Sequence, residues 1–272
     1  MGLILDLKRS LRVPLDMSPV TPDNLNGRSL NEIYELMLWE GNRRIPLREI
    51  FEVEEVDGGG LIITGDLSKA RRIGYMMRSG ELRVRGDAGL YVGEAMKGGA
   101  ITVEGDAGAW LGSRMAGGEI VVEGDAGDFV GSSYRGSRDG MKKGVIRVKG
   151  DAGDEVGCWM RGGLIWIEGS VGCFPGIHMI DGTILIEGDC SGRAGAEMLG
   201  GRIIIQGRIP EVLPSFRTSD PKGKVKVDDT AIQGPFYVFE GDLNEDGSGK
   251  LYINRGKNPH LSWCEKLMGE VD

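Results

Sequence analysis

The sequence predicts a mainly β protein: a right-handed parallel β-helix of about seven 19-residue coils, with a small α/β N-terminal cap and a β-rich C-terminal cap. Three observations carry this prediction. Glycine fills 47 of the 272 positions, more than twice the roughly 7% of an average protein. Collagen and flexible linkers do not explain it, because the chain has only 10 prolines and is 40% hydrophobic. Second, short apolar strands ending in glycine recur, at Gly65, Gly86, Gly105, Gly124, Gly150, Gly169, Gly188 and Gly207, with intervals of 21, 19, 19, 26, 19, 19 and 19 residues. Third, each unit holds one alternating strand such as Ile101-Thr102-Val103, and a period near 20 is too short for two helices per unit.

Taken in order, residues 1–55 form the N-terminal cap. Ser29 and Glu32 make a capping box, and Ile33, Leu36 and Met37 follow at helical spacing with Gly41 as a stop, so one short helix is expected there. Residues 56–207 are the repeats, with the pattern G-D-A-G-x-x-V-G-x-x-M-x-G-G-x-I-x-V-x. Two extra residues precede Gly74 in the first unit, and seven, from Ser133 to Asp139, interrupt the unit that starts at Gly124. Glycine is needed at the corners, where positive φ and close backbone approach are required. Equal positions stack, so pairs such as Ile101 with Val103 and Ile184 with Ile186 point inward. So do Ala88, Ala107, Ala126, Ala152 and the methionine column Met77, Met96, Met115, Met141, Met160, Met179 and Met198, read as core filling rather than as a soft-metal conduit. Asp66, Asp87, Asp106, Asp125, Asp151 and Asp189 form a carboxylate ladder; it suits a hydrogen bond from each residue's own turn better than calcium, whose nonapeptide repeat is absent. Residues 208–272 form the second cap, with strands around Val225 and Phe236-Tyr237-Val238 and a hairpin across Glu245 to Ser248. Both caps are expected to close the exposed ends of the stack.

Charge and motifs narrow the function. A formal charge of −8 and a pI near 5.1 argue against a nucleic-acid partner. No apolar run approaches the roughly 18 residues of a membrane span, and charges interrupt the first 16 residues where a signal peptide needs an apolar stretch, so a cytoplasmic protein without a membrane partner is expected. Cys158, Cys173, Cys190 and Cys264 lack CxxC spacing, and with only His178 and His260 beside them no metal or cluster site is expected on this chain. Arg85-Gly86-Asp87 is a repeat corner, not an adhesion signal. Asp242 to Gly247 imitates the start of a calcium loop, but position twelve is Ile253 and strands flank it. No GxxxxGK[ST] accompanies the glycine-rich corners.

The segments DNLNGRSLNEI and IPLREIFEV, the tandem GDAG-x-x-VG-x-x-MxGG units, GSSYRG and FPGIHM together resemble the C subunit of formylmethanofuran dehydrogenase over nearly the whole chain. The repeat alone is also similar to the C-terminal β-helix domain of the glutamate synthase large subunit, and the C subunit of the formyltransferase/hydrolase complex of methylotrophic bacteria is the near alternative. The resemblance implies a complex that takes the first step of methanogenesis from carbon dioxide. It implies reduction to formate at a tungsten or molybdenum bis-pterin centre in the B subunit, condensation with methanofuran at a dinuclear metal site in the A subunit, and electron supply through iron–sulfur subunits. The C subunit is then a structural, non-catalytic member, and no catalytic, cofactor-binding or metal-binding residue carries over to this chain. A free-standing β-helix hydrolase or lyase is the reading from a different class; it needs clustered carboxylates, whereas these are periodic.

A structural subunit requires a docking surface. Five positions after the lead glycine stand Tyr91, Trp110, Phe129 and, two coils on, Phe174. They form either an aromatic docking stripe or the floor beneath a cap. Trp166, between inward Ile165 and Ile167, is expected to project from another face. Tyr134, Arg135 and Arg138 lie in the seven-residue insertion, a loop expected to reach a catalytic subunit.

Overall fold

The inner positions of every repeat are β-branched or leucine, and their stacking builds the main sheet of this computed structural model, which describes residues 2–268. Ile101 pairs with Ile120, then Ile146, Ile165, Ile184 and Ile203 follow in parallel register. Two residues on, Val103, Val122, Val148, Ile167, Ile186 and Ile205 form a second column in the same register. All of these side chains are at most 1% exposed, and burial of each contributes about 1.5–3 kcal/mol. The resulting fold is mainly β, with one 13-stranded sheet.

The segments outside the repeats supply the ends of that same sheet. Gly2–Leu7 pairs parallel with Leu61–Thr64 and antiparallel with Phe51–Val56. At the other end Gly249–Asn254 pairs parallel with Arg202–Ile205 and antiparallel with Thr230–Gly241, which in turn pairs antiparallel with Arg217–Val227. A second ladder runs beside the first. It orders Arg43–Pro46, Met37–Glu40, Leu15–Asp16, Leu67–Arg71 and Ala88–Leu90, and continues as single parallel bridges linking Ala88, Ala107, Ala126, Ala152 and Val171. One core cluster spans Leu3 to Cys264, and all seven repeat methionines are fully buried within it.

Three local expectations change. The capping box forms, with Ser29 N donating to Glu32 Oε2 at 2.8 Å, but its helix is Leu30–Tyr34 and stops before Leu36 and Met37. Met37–Glu40 is a strand paired with Arg43–Pro46 around Gly41, whose φ is 59°. Burying Leu38 and Ile45 across that hairpin outweighs the helical spacing. A further helix, Pro22–Leu25, is capped by Thr21, and Cys264–Met268 forms another near the C-terminus.

The aspartate ladder acts between repeats rather than within one turn. Asp106, Asp125 and Asp151 each donate a backbone N–H to Oδ1 of the preceding aspartate, at 2.8–2.9 Å. Only Asp66 accepts from its own turn, from Ser68 N at 3.0 Å.

The strands expected around Val225 and Phe236 are the two arms of a hairpin, Arg217–Val227 and Thr230–Gly241. The connection across residues 245–248 leads from the second arm into Gly249–Asn254. Val225, Val227, Ile232 and Phe236 pack on Leu164, Leu185 and Ile204, forming a separate core on the sheet face opposite the methionines.

Candidate functional site

A corner of the stack organises the candidate face. Position five after the lead glycine is occupied in successive repeats by Tyr91, Trp110, Phe129, Glu155, Phe174 and Arg193, with φ between 56° and 66°. Non-glycine residues reach this left-handed region at a cost of about 1–3 kcal/mol and only where their surroundings enforce it. Enforcement here comes from the next repeat: Tyr91 N donates to Ala109 O at 3.0 Å, Trp110 N to Asp128 O at 2.9 Å and Phe129 N to Asp154 O at 2.8 Å. A second left-handed column stands four residues on and includes Arg114, Trp159, His178 and Glu197.

Equal spacing stacks the rings. Tyr91 and Trp110 lie 5.2 Å apart at 18°, and Trp110 and Phe129 4.7 Å apart at 16°. Trp159 stacks on His178 at 4.4 Å in the second column, and His178 Nδ1 is 3.2 Å from Glu197 Oε2. Such pairs contribute about 0.5–1.5 kcal/mol beyond burial.

The inserted loop folds back over both columns. It leaves at Ser133, whose N–H donates to Cys158 O at 3.0 Å, and returns at Gly140, whose N–H donates to Trp159 O at 3.1 Å. Tyr134 comes within 6.5 Å of Tyr91. Arg135 lies 6.0 Å from the Phe129 ring and Arg138 5.3 Å from the Trp159 ring. Asp139 anchors the base of the loop through Lys142 at 2.9 Å and Arg161 at 3.4 Å. Between loop and columns lies a cleft of about 230 Å³ that includes Trp110, Phe129, Glu155, Trp159 and His178. A second cleft, about 370 Å³, lies on the other side of Tyr134 and includes Asp16, Trp39, Arg71, Arg72 and Tyr91.

The structure therefore brings Tyr91, Trp110, Phe129, Tyr134, Arg135 and Arg138 together. Phe174 shares the corner but is separated from the stack by Glu155, and Arg193 lies 5.5 Å from its ring. Trp166 stands on a different face, as its alternation requires. There the C-terminal hairpin packs against it, Arg147 sits 4.4 Å from its ring, and its Nε1–H donates to Glu187 Oε1 at 2.8 Å. Trp39, Arg71, Trp159 and His178 join the face without having been singled out from sequence. Trp159 and His178 carry a readable signal, their separation by one repeat; Trp39 and Arg71 carry none, because only the pairing of Leu15–Asp16 with Leu67–Arg71 and Met37–Glu40 brings the N-terminal hairpin there.

Among the described residues no group of three or more His, Cys, Asp and Glu side chains is placed to hold a metal ion. Burial pushes the Cys158 and Cys190 thiols up to about 12, with nearby Glu155 adding to the effect at Cys158, so both stay protonated and poorly nucleophilic. Aromatic and arginine side chains on a rigid support are the groups that dominate protein–protein hot spots.

No protein-family model matches the chain. Among characterised proteins it is 58% identical over 268 residues to the C subunit of the tungsten-containing formylmethanofuran dehydrogenase 2 of Methanococcus maripaludis, covering 95% of this chain and 98% of that one. It is 57% identical over 265 residues to the protein of that name from Methanothermobacter thermautotrophicus, with the same coverage. Among solved structures, a chain of the formyltransferase/hydrolase complex from Methylorubrum extorquens, in complex with methylofuran, matches with a TM-score of 0.81 and 32% identity, over 92% of this chain and 99% of that one.

Proposed function

The chain belongs to the C-subunit family of formylmethanofuran dehydrogenase, and on that premise we propose that it is the structural, non-catalytic subunit of such a complex. The observation that carries this reading is identity of 58% extending over 95% of the chain. The complex reduces carbon dioxide and attaches the formyl group to methanofuran, the first step of methanogenesis from carbon dioxide, in the cytoplasm. Its partners are the A and B catalytic subunits and iron–sulfur subunits. The tungsten or molybdenum bis-pterin, the dinuclear metal site and the iron–sulfur clusters are assigned to those partners; among the described residues of this chain no group of three or more His, Cys, Asp and Glu side chains is placed to hold a metal ion.

Within the complex the repeats act as a rigid column, a right-handed parallel β-helix over residues 56–207 closed by caps at 1–55 and 208–272. The unbroken parallel register of the inner isoleucines supports the parallel stacking, and the right hand is that of nearly all parallel crossover connections. Tyr91, Trp110, Phe129, Tyr134, Arg135 and Arg138 form the face that a catalytic subunit meets, with Phe174 at its margin and Trp166 on a separate contact face. A role in a formyltransferase/hydrolase complex is the second reading, favoured by the TM-score of 0.81.

Purification of the tagged chain from its native cell tests both. Co-purification with tungsten or molybdenum in fixed proportion is expected. A complex with formyltransferase activity but without tungsten or molybdenum selects the second reading, and an active monomer refutes the two together. Deleting Ser133 to Asp139 is expected to abolish assembly and turnover; unchanged assembly ends the assignment of the loop.

A further inference from the structure

Besides Asp16, whose carboxylate is taken up by Arg72 and the Ser18 N–H, the cleft beneath Tyr134 presents hydrogen-bond donors and a positive charge that have no acceptor of their own among the described residues. Arg72 is paired with Asp16 Oδ2 at 2.9 Å and Glu94 Oε2 at 3.0 Å. Glu94, in turn, is buried and divided between Arg72 and a second guanidinium 3.5 Å away. Arg71, the adjacent residue, lines the same cleft, is exposed, and makes no ion pair among the described residues. The phenols of Tyr91 and Tyr134, whose ring centroids are 6.5 Å apart, also line the cleft, and neither hydroxyl has a hydrogen-bond partner among the described residues. Burial, then neighbouring Tyr134 and Glu94, push the Tyr91 phenol up, so it remains an O–H donor at neutral pH.

We infer that this cleft receives a carboxylate side chain from an acidic patch of the subunit that docks on the face, held by Arg71 and by the hydroxyls of Tyr91 and Tyr134. The inference rests on the docking reading above and adds the chemistry of the partner. An ionised carboxylate presents two oxygens and about four lone-pair sites, enough for a guanidinium and two phenols at once. Docking of the partner would cover the cleft and exclude water, which strengthens those bonds. A free anion gains little from one exposed guanidinium in salt, whereas a carboxylate already held by the docked subunit meets the cleft at high effective concentration.

The test measures association of the full-length chain with its partner subunits across a salt series. Arg71→Glu is expected to weaken binding about tenfold or more at low salt and to flatten the salt dependence. Arg71→Lys is expected to keep most of the affinity, and Tyr91→Phe and Tyr134→Phe to lose about three- to tenfold each. Trp110→Ala separates the docking face from the carboxylate site, and circular dichroism verifies that each variant is folded. If Trp110→Ala weakens association while the Arg71 and tyrosine variants bind like wild type, the docking face stands and the carboxylate site is wrong. If no variant changes association, the docking reading itself fails and takes this inference with it. Binding of inorganic phosphate or an RNA oligonucleotide that requires Arg71, while association with the partner subunits is unaffected, also overturns it.

Discussion

Met115 shows how a repeat position becomes a structural requirement. A Cβ added at Gly144, in the next repeat, would sit 2.8 Å from Met115 Cε and 2.6 Å from Gly118 O, at a φ of 104°. The methyl end of each methionine thus fills the space that the following glycine leaves open, which explains why the two residue types recur together. Met115→Ala is expected to cost about 2–5 kcal/mol in denaturant unfolding. The aspartates give a subtler case. Asp125 accepts the backbone N–H of Asp151 at 2.8 Å, so Asp125→Ala is expected to lose about 1 kcal/mol, whereas Asp125→Asn keeps an acceptor and most of the stability. A calcium-dependent rise in Tm that Asp125→Asn removes would instead restore the cation reading. For the thiols, alkylation by iodoacetamide near pH 8 is expected to spare buried Cys158 and Cys190 in the native chain and to reach half-buried Cys173 first.

Elements show where local signals compete with packing. The segment from Leu36 to Met37 reads as helix by spacing, yet Met37–Glu40 is a strand because Leu38 is fully buried against the N-terminal core and its backbone pairs across Gly41. The C-terminal hairpin was visible only as two separate strands. Its function as a cover follows from Phe236, which is fully buried and packs into the second core. Phe236→Ala is expected to cost about 3–5 kcal/mol and to raise hydrogen exchange selectively over residues 217–241; uniform exchange across the repeats would contradict a separable cover. The inserted loop was legible as an interruption of the period, but its path was not. Its return over the rings through Arg135 and Arg138 depends on where the second left-handed column lies, and no local pattern announces positive φ at Trp159 or His178.

At the scale of the molecule, stability is spread along a stack in which each repeat depends on its neighbours. Protonation is linked to that stack through its buried thiols. The folded-state values of Cys158 and Cys190, raised to about 12 from 9.0, mean that the unfolded chain loses protons first as pH rises. Their stabilising contribution is therefore complete below about pH 9 and is lost progressively toward pH 12, where the decline ends. Thermal unfolding across that range checks the sign, and Cys158→Ser with Cys190→Ser is expected to flatten the curve. The sequence by itself determined the period, the inward columns from Ile101 to Ile203, the interruption at Ser133 to Asp139 and the family, because stacked repeats leave the same side-chain demand every 19 residues. Only the tertiary structure decided that Gly2–Leu7 and Gly249–Asn254 extend the same sheet, and that Trp166 lies against the C-terminal hairpin. It also decided that Trp39 and Arg71 meet Tyr91 and Tyr134 in one cleft. Those contacts join segments with no shared period, and they are set by which unpaired edges and apolar faces remained to be covered.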